Sequence, residues 1–320
     1  MTKKQIVNLE IRDYVIRYTE NRRDKTQVER MGEHYIPAGI IRGGVIEDRE
    51  QFERVLKTCV KKWRLKRKTV RLIMPDSLVF IRREVLSLNI AKNEIRNHIQ
   101  FHLGDTIHLP FDESVFETVY IQELEDGHEI SLISTDRSIA NQYTQTLNDL
   151  GMRVESIDIS PLSFYRVLYS HSVVSNEDHL LLINYNVDQV TFSAFRFHTP
   201  IFLQEFDLDS SDQTIDQLGP TLSKEDFHEE TVMDELEDLI IEVERVERFY
   251  QYMIQNYEQQ FTQIAITGDH PYLEDIMVTL EERFETPVVT IQDEQVVGPK
   301  GMTVASRFHM VYGMALKGGL

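Results

Sequence analysis

Two distant stretches of this chain share one design: an apolar strand, a tight turn and a second apolar strand. The first covers residues 6–12 and 14–19 and opens Ile6-Val7-Asn8-Leu9-Glu10-Ile11-Arg12-Asp13-Tyr14. The second runs over Leu180–Tyr185, turns through Asn186-Val187-Asp188-Gln189 and continues over Val190–Arg196. A further strand is expected at Thr199–Asp207. Apolar runs of this length bounded by polar turn residues read as strands. A chain that starts over in the style of its beginning is built of two comparable parts. At 320 residues, 41% of them hydrophobic, it is long enough to give each part a core.

The spacing between and after the hairpins gives the rest of the organisation. A turn-rich loop, Tyr35 to Ile46 with Pro37, Gly39, Gly43 and Gly44, precedes a helix over 48–62 on Phe52, Val55, Leu56 and Cys59. Strands are expected at Val70–Met74, Val79–Leu86, Val115–Glu123, Glu129–Ser134 and Val154–Ile159. Helices are expected at Ala91–Leu103, at Arg137–Leu150 with a cap at Gly151, and at Pro161–Tyr169. Residues 77–152 thus read as a strand–helix–strand–strand–helix unit. Beyond the second hairpin, 208–231 is acidic and reads as irregular and mobile. A long helix over 232–256 follows, with Leu236, Leu239, Val243, Val246 and Tyr250 on one stripe. Strand Ile264–Thr267 leads into Gly268-Asp269-His270-Pro271, then helix Tyr272–Phe284, strand Val288–Ile291 and a closing helix over 303–316.

The chemistry is bounded mainly by exclusion. A net charge of −19 opposes sequence-independent nucleic-acid binding, which needs cations against phosphates. One cysteine, Cys59, allows no disulfide framework and no cysteine-based zinc site. Phosphate-loop, dinucleotide and nucleophile-elbow motifs are missing. His98 and His102 share a helix face, with no third ligand in view. The basic run Lys61-Lys62-Trp63-Arg64-Leu65-Lys66-Arg67-Lys68 is either a solvated helix end or a contact for an acidic membrane surface aided by Trp63. No apolar run reaches the ~20 residues of a membrane span, and no signal peptide is apparent. A cytoplasmic protein is expected.

Five stretches in order resemble the type IV pilus assembly protein PilM family, actin-like relatives of the division protein FtsA. They are Ile36-Pro37-Ala38-Gly39 through Asp48, Met74-Pro75 with Val79–Val85, Glu94–Ile99 through Pro110-Phe111, Leu236 through Tyr250, and Tyr312-Gly313-Met314-Ala315-Leu316-Lys317. The resemblance implies an α/β, actin-like fold of two lobes with ribonuclease H-like repeats and an inserted small α+β subdomain. The lobes would be 1–76 with 153–175, and 176–320, and the insert 77–152. The two hairpins would then be the phosphate-facing turns, one per lobe.

The family's nucleotide motifs are degenerate here. Where the family has Asp-Ile-Gly and small residues, this chain has Glu10-Ile11-Arg12-Asp13. The second turn has Asn184 and Asn186, and the adenosine-side loop keeps only Gly268, followed by Asp269. A phosphate-cradling turn needs backbone N–H groups close to anionic oxygens, which glycine permits and large side chains obstruct. ATP hydrolysis is not expected and no cofactor is required, Mg·ATP being the alternative. The implied function is a cytoplasmic scaffold of a type IV pilus or pseudopilus platform. It would sit at the inner face of the membrane with other platform components. Its partner would be the N-terminal tail of a PilN-like single-pass membrane protein, with Val79, Ile81, Ile95, Ile99 and Phe111 lining or supporting the groove. The alternatives are a PilM-like protein regulated by ATP and an FtsA-like division protein. The second alternative is weakened by the ending at Gly318-Gly319-Leu320.

Overall fold

The computed structural model describes residues 5–208, 222–254 and 258–318. The first sheet is formed by β1 (Gln5–Ile11), β2 (Val15–Arg22) and β3 (Val28–Tyr35), later joined by β6 (Thr69–Met74) and β10 (Arg153–Ile159) in the order β10-β6-β1-β2-β3. A two-stranded hairpin, β4 (Ile41–Arg42) and β5 (Val45–Ile46), leads into α1 (Arg49–Trp63). After β6 come β7 (Val79–Leu86), α2 (Ile95–His102), β8 (Ser114–Glu123), β9 (His128–Asp136) and α3 (Arg137–Asp149). Helix α4 (Ser160–Ser170) then crosses to β11 (Leu180–Tyr185), β12 (Gln189–Arg196) and β13 (Thr199–Asp207). The chain finishes with α5 (Glu229–Met253), β14 (Gln263–Gly268), α6 (Leu273–Arg283), β15 (Val288–Val289) and α7 (His309–Ala315).

The second sheet runs β15-β14-β11-β12-β13-β7-β9-β8. Its first five strands repeat the first sheet. In both, an antiparallel meander of three strands has two parallel strands added on the side of its first member. The hairpins read from sequence sit at the centre of each sheet. Strands β7, β9 and β8 extend the second sheet beyond β13 through the Phe202–Arg82 pairing.

Local chemistry sets the helices. Asp48 caps α1 by accepting from Gln51 N at 2.9 Å, and Asp136 caps α3 by accepting from Ser138 N and Ile139 N. Phe52, Leu56, Cys59 and Trp63 turn the apolar face of α1 onto the first sheet, where Phe52 meets Tyr143 of α3 edge-on. Each such buried side chain stabilises by roughly 2 kcal/mol. Helix α3 therefore packs in the first core, although the sequence pattern groups it with the unit before it. The insert keeps a small core of its own from Leu86, Ile95, Ile99, Phe116, Ile130 and Leu132. Helices α4 and α7 cross between the sheets. A Cβ on Gly313 would lie 1.8 Å from Ser163 O, so only glycine allows this crossing.

Several expectations change. Trp63 is 5% exposed and lies against Tyr18 with ring centroids 4.5 Å apart, so it cannot serve a membrane surface. Strand β3 has no clear apolar alternation, its Glu29, Arg30, Glu33 and His34 being polar, and sequence gives no sign of it. Helix α5 begins at Glu229, before the expected start, and its expected last residues 255–256 lie outside the described residues. Of the acidic stretch, 209–221 lies outside the described residues and 224–226 forms a 3-10 turn. The closing helix is shorter than expected, a 3-10 turn over Ser306–Phe308 running into α7. Burial pushes the Cys59 thiol up to about 12, which leaves it an inert part of the core.

Candidate functional site

The cleft lies where the carboxyl ends of β1, β6, β11 and β14 converge, the position at which open α/β sheets present ligand sites. The structure brings all seven candidate cleft residues to it. Glu10 is the next-to-last residue of β1, and Arg12 and Asp13 form the first turn. Asn184 and Asn186 flank the end of β11, Gly268 ends β14 and Asp269 follows it. Gly268 has φ +151°, and a Cβ there would lie 1.7 Å from Tyr185 O. Its retention is explained by this close pass of strand against strand, which aims Asp269 into the cleft.

The side chains fill the space between the turns. Arg12, 7% exposed, reaches Asp188 Oδ1 in the second turn at 3.3 Å and Glu10 Oε1 at 3.5 Å. Turned so that both ends of its amide are satisfied, Asn186 accepts from Arg12 Nη2 at 3.0 Å, donates to Asp269 Oδ1 at 3.3 Å, and lies 3.0 Å from Asn184 Nδ2. Arg17 on β2 is 1% exposed and donates to Asp269 Oδ2 at 2.5 Å and to Glu33 Oε2 at 3.2 Å. The Tyr14 hydroxyl also donates to Asp269. Asp76, just after β6, accepts from Ser160 Oγ at 2.5 Å and from Thr191 Oγ1 at 3.1 Å. Sequence reasoning passed over Tyr14, Arg17, Asp76 and Asp188. An arginine at the inward-facing Arg17 position of a strand buried at almost every residue was the one available signal.

Backbone donors of the kind that would receive a phosphate are already engaged. Val187 N, in the second turn, donates to Asp269 Oδ1 at 3.2 Å. Gly43 N and Gly44 N donate to the two oxygens of Asp13 at 2.5 and 2.9 Å. A cavity at the first turn, lined by Arg12, Asp13, Asp76, Ser160 and Asp188 among others, has a volume of about 20 Å³. That holds about one water, whereas sites for small ligands start at roughly 300 Å³. Mg·ATP does not fit these residues as they are arranged.

The electrostatics agree with an internal network. Burial works to raise Asp269, and Arg17 and Arg12 overcome it, so its carboxyl titrates below its usual range. Burial pushes Asp188 up to about 7 against the pull of Arg12, and raises Glu10. Glu205 on β13 is pushed up to about 8, by burial first and then by Asp76 and Asp207. Burial opposes the charge on both arginines, and the surrounding carboxylates outweigh it.

The candidate groove residues do not form one surface. Val79 and Ile81 pack in the first core, Ile95 and Ile99 in the core of the insert, and all four are buried. Phe111 is half-buried. Exposed apolar side chains nearby are instead Val85, Leu88, Phe101, Val115 and Tyr120. Phe101, at 83%, borders an open recess of about 340 Å³ with Ile90, Asn97 and His102. The rings of His98 and His102 lie 4.0 Å apart and tilted by 32°, and among the described residues no group of three His, Cys, Asp or Glu side chains is placed to hold a metal. No described helix is long and apolar enough to cross a membrane.

Comparison with known proteins places this geometry. A structure described as a PilM-PilN type IV pilus biogenesis complex superposes with a TM-score of 0.77 at 13% identity, over 99% of each chain. MreB5 of Spiroplasma citri bound to ADP gives 0.52 at 9% identity, over 99% of this chain and 96% of the other. The ethanolamine utilization protein EutJ from Carboxydothermus hydrogenoformans gives 0.54 at 9% identity, over 99% and 91%. These likenesses establish an actin-like two-lobed fold. A sequence search of curated proteins gives no match. The sequence profile of the family described as type IV pilus assembly protein PilM matches residues 10–208, more than half of the chain. This chain belongs to the PilM family.

Proposed function

We propose that this protein is a nucleotide-independent scaffold of a type IV pilus or pseudopilus platform. It works on the cytoplasmic face of the membrane and is recruited there by the N-terminal tail of a PilN-like single-pass protein. Family membership and the likeness to a PilM-PilN complex support the partner. One observation carries the independence from nucleotide: Asp13 and Asp269 occupy backbone donors at the cleft, while Arg12–Asp188 joins the two turns. A network of buried ion pairs and hydrogen bonds holds the halves in one relation without a ligand, and the scaffold performs no ATP hydrolysis.

The division that best suits the packing is a first lobe of 1–76 with 137–175, an insert of 77–136, and a second lobe of 176–320. Placement of α3 in the first core favours moving that boundary. The matched strand order of the two sheets supports ribonuclease H-like repeats. The partner's tail docks on the exposed apolar side chains of the insert, with Phe101 as its main contact. Calorimetric titration of the full chain with the tail peptide tests this. Binding is expected to be equal with and without Mg·ATP and to fall at least roughly tenfold in Phe101→Ser. Binding that requires nucleotide overturns the scaffold reading, and unchanged affinity in the variant overturns the site.

A further inference from the structure

The end of the first sheet remote from the cleft is basic. Strands β1, β6 and β10 begin there side by side, with Thr69 in register with both Ile6 and Arg153. The last turn of α1 and its connection to β6 add Lys61, Lys62, Arg64, Lys66 and Arg67, all exposed. Among the described residues, these five and Arg153 form no ion pair, although Arg153 is near enough to Glu155 to help lower its carboxyl. Lys68 and Arg23, by contrast, are engaged with Glu20 and Glu155. Six cations outside any ion pair at one end are notable in a chain whose net charge is −19.

The backbone that presents them is fixed. Leu65, 1% exposed, anchors the connection in the first core, and its N–H donates to Val60 O at 2.9 Å. Arg67 N donates to Gly151 O at 2.7 Å, and Arg153 N to Lys68 O at 2.9 Å. Arg64 and Arg67 hold φ of +60° and +65°, left-handed conformations in which glycine is the economical residue. Two cations kept at two such positions point to a use for their charge. Between them and the strand ends, Gln5, Arg67, Lys68, Thr69 and Arg153 line an open recess of about 380 Å³, with Arg153 Nη2 donating to Thr69 Oγ1 at 3.2 Å.

We propose that this basic end docks on an anionic phospholipid bilayer, with headgroup phosphates received by Arg67 and Arg153. Shape and charge favour a bilayer over a nucleic acid. A planar surface approached end-on meets the cations first. The carboxylates at that end, Glu20, Glu29 and Glu155, are held by Lys68, Arg22 and Arg23, so the charge left to face a surface is positive. A nucleic acid long enough to grip several cations would run on past the acidic surface. The contact is separate from the partner's tail and needs no partner.

Flotation of the purified full chain with phosphatidylcholine vesicles, with and without phosphatidylglycerol, tests the proposal. The chain is expected to float with the anionic vesicles alone and to be released by salt. Arg67→Glu/Arg153→Glu should lower the floated fraction roughly tenfold or more. Arg248→Glu/Arg283→Glu, the same charge change at exposed sites on α5 and α6 paired with Glu244 and Glu237, should float like the parent. Arg64→Gly/Arg67→Gly, which suits the backbone, gives a second reading of the same end if the Glu variant does not fold. The proposal is overturned if the parent does not float with anionic vesicles, if folded variants of the basic end float equally well, or if duplex DNA strips the chain from them.

Discussion

The two ends of the first sheet use arginine in opposite ways. At the cleft, Arg12 and Arg17 are buried, and each faces carboxylates contributed by elements far away in sequence. At the other end, Arg64 and Arg67 are exposed, face no carboxylate among the described residues, and sit on a strained backbone. A buried charge whose partners are built into the fold is structural, because removing a partner leaves the charge without solvent or counter-ion. An exposed charge without a partner adds little to stability and remains available to another surface. The same residue type is thus consumed by the fold at one end and offered outward at the other.

The largest test of this contrast is Asp269→Ala. It leaves Arg17, the Tyr14 hydroxyl and Val187 N without their shared acceptor, and should cost about 3–5 kcal/mol in urea unfolding. A loss below about 1 kcal/mol would mean that the network is incidental.

The second test uses pH. Glu205 is raised from 4.5 to about 8, chiefly by burial, so between those values the folded chain binds more protons than the unfolded one. Stability from this group is then greatest in acid and declines as pH rises from about 4.5 through about 8. With partial solvent contact the change should be on the order of 2 kcal/mol or less. Glu205→Gln should flatten that part of the stability–pH curve, and an unaltered slope would remove Glu205 from the account.

The smallest effect belongs to the basic end. Arg64→Gly relieves a left-handed residue at a helix end and should raise stability by up to about 1 kcal/mol, read as a later denaturation midpoint. Clear destabilisation would show that Arg64 serves the fold after all, and the contrast between the two ends would fail.

Much of this arrangement was legible in the sequence, for local reasons. The hairpins, most helices and the ring of cleft residues each depend on a few neighbouring side chains, and Arg12 in place of glycine marked the altered turn. The partners of that arginine were not legible, since Asp188 lies on the other side of the cleft and only the closing of the fold brings it near. Arg17 and Tyr14 escaped notice because an inward-facing polar residue on a buried strand declares itself only once its counter-ion is known. Val79, Ile81, Ile95 and Ile99 show the limit of periodicity: it marks apolar faces and does not say whether they meet the core or a partner. Strand β3 was lost because strand pairing, rather than its polar sequence, holds it in place.

The central claim is that the chain's own ion pairs occupy the place of a nucleotide. Titration of the purified protein with Mg·ATP by calorimetry tests it most directly. The account predicts no saturable heat at nucleotide concentrations into the millimolar range. A saturating isotherm with a dissociation constant of high micromolar or tighter would contradict it, since the cleft would then have to open and exchange Asp13 and Asp269 for phosphate oxygens.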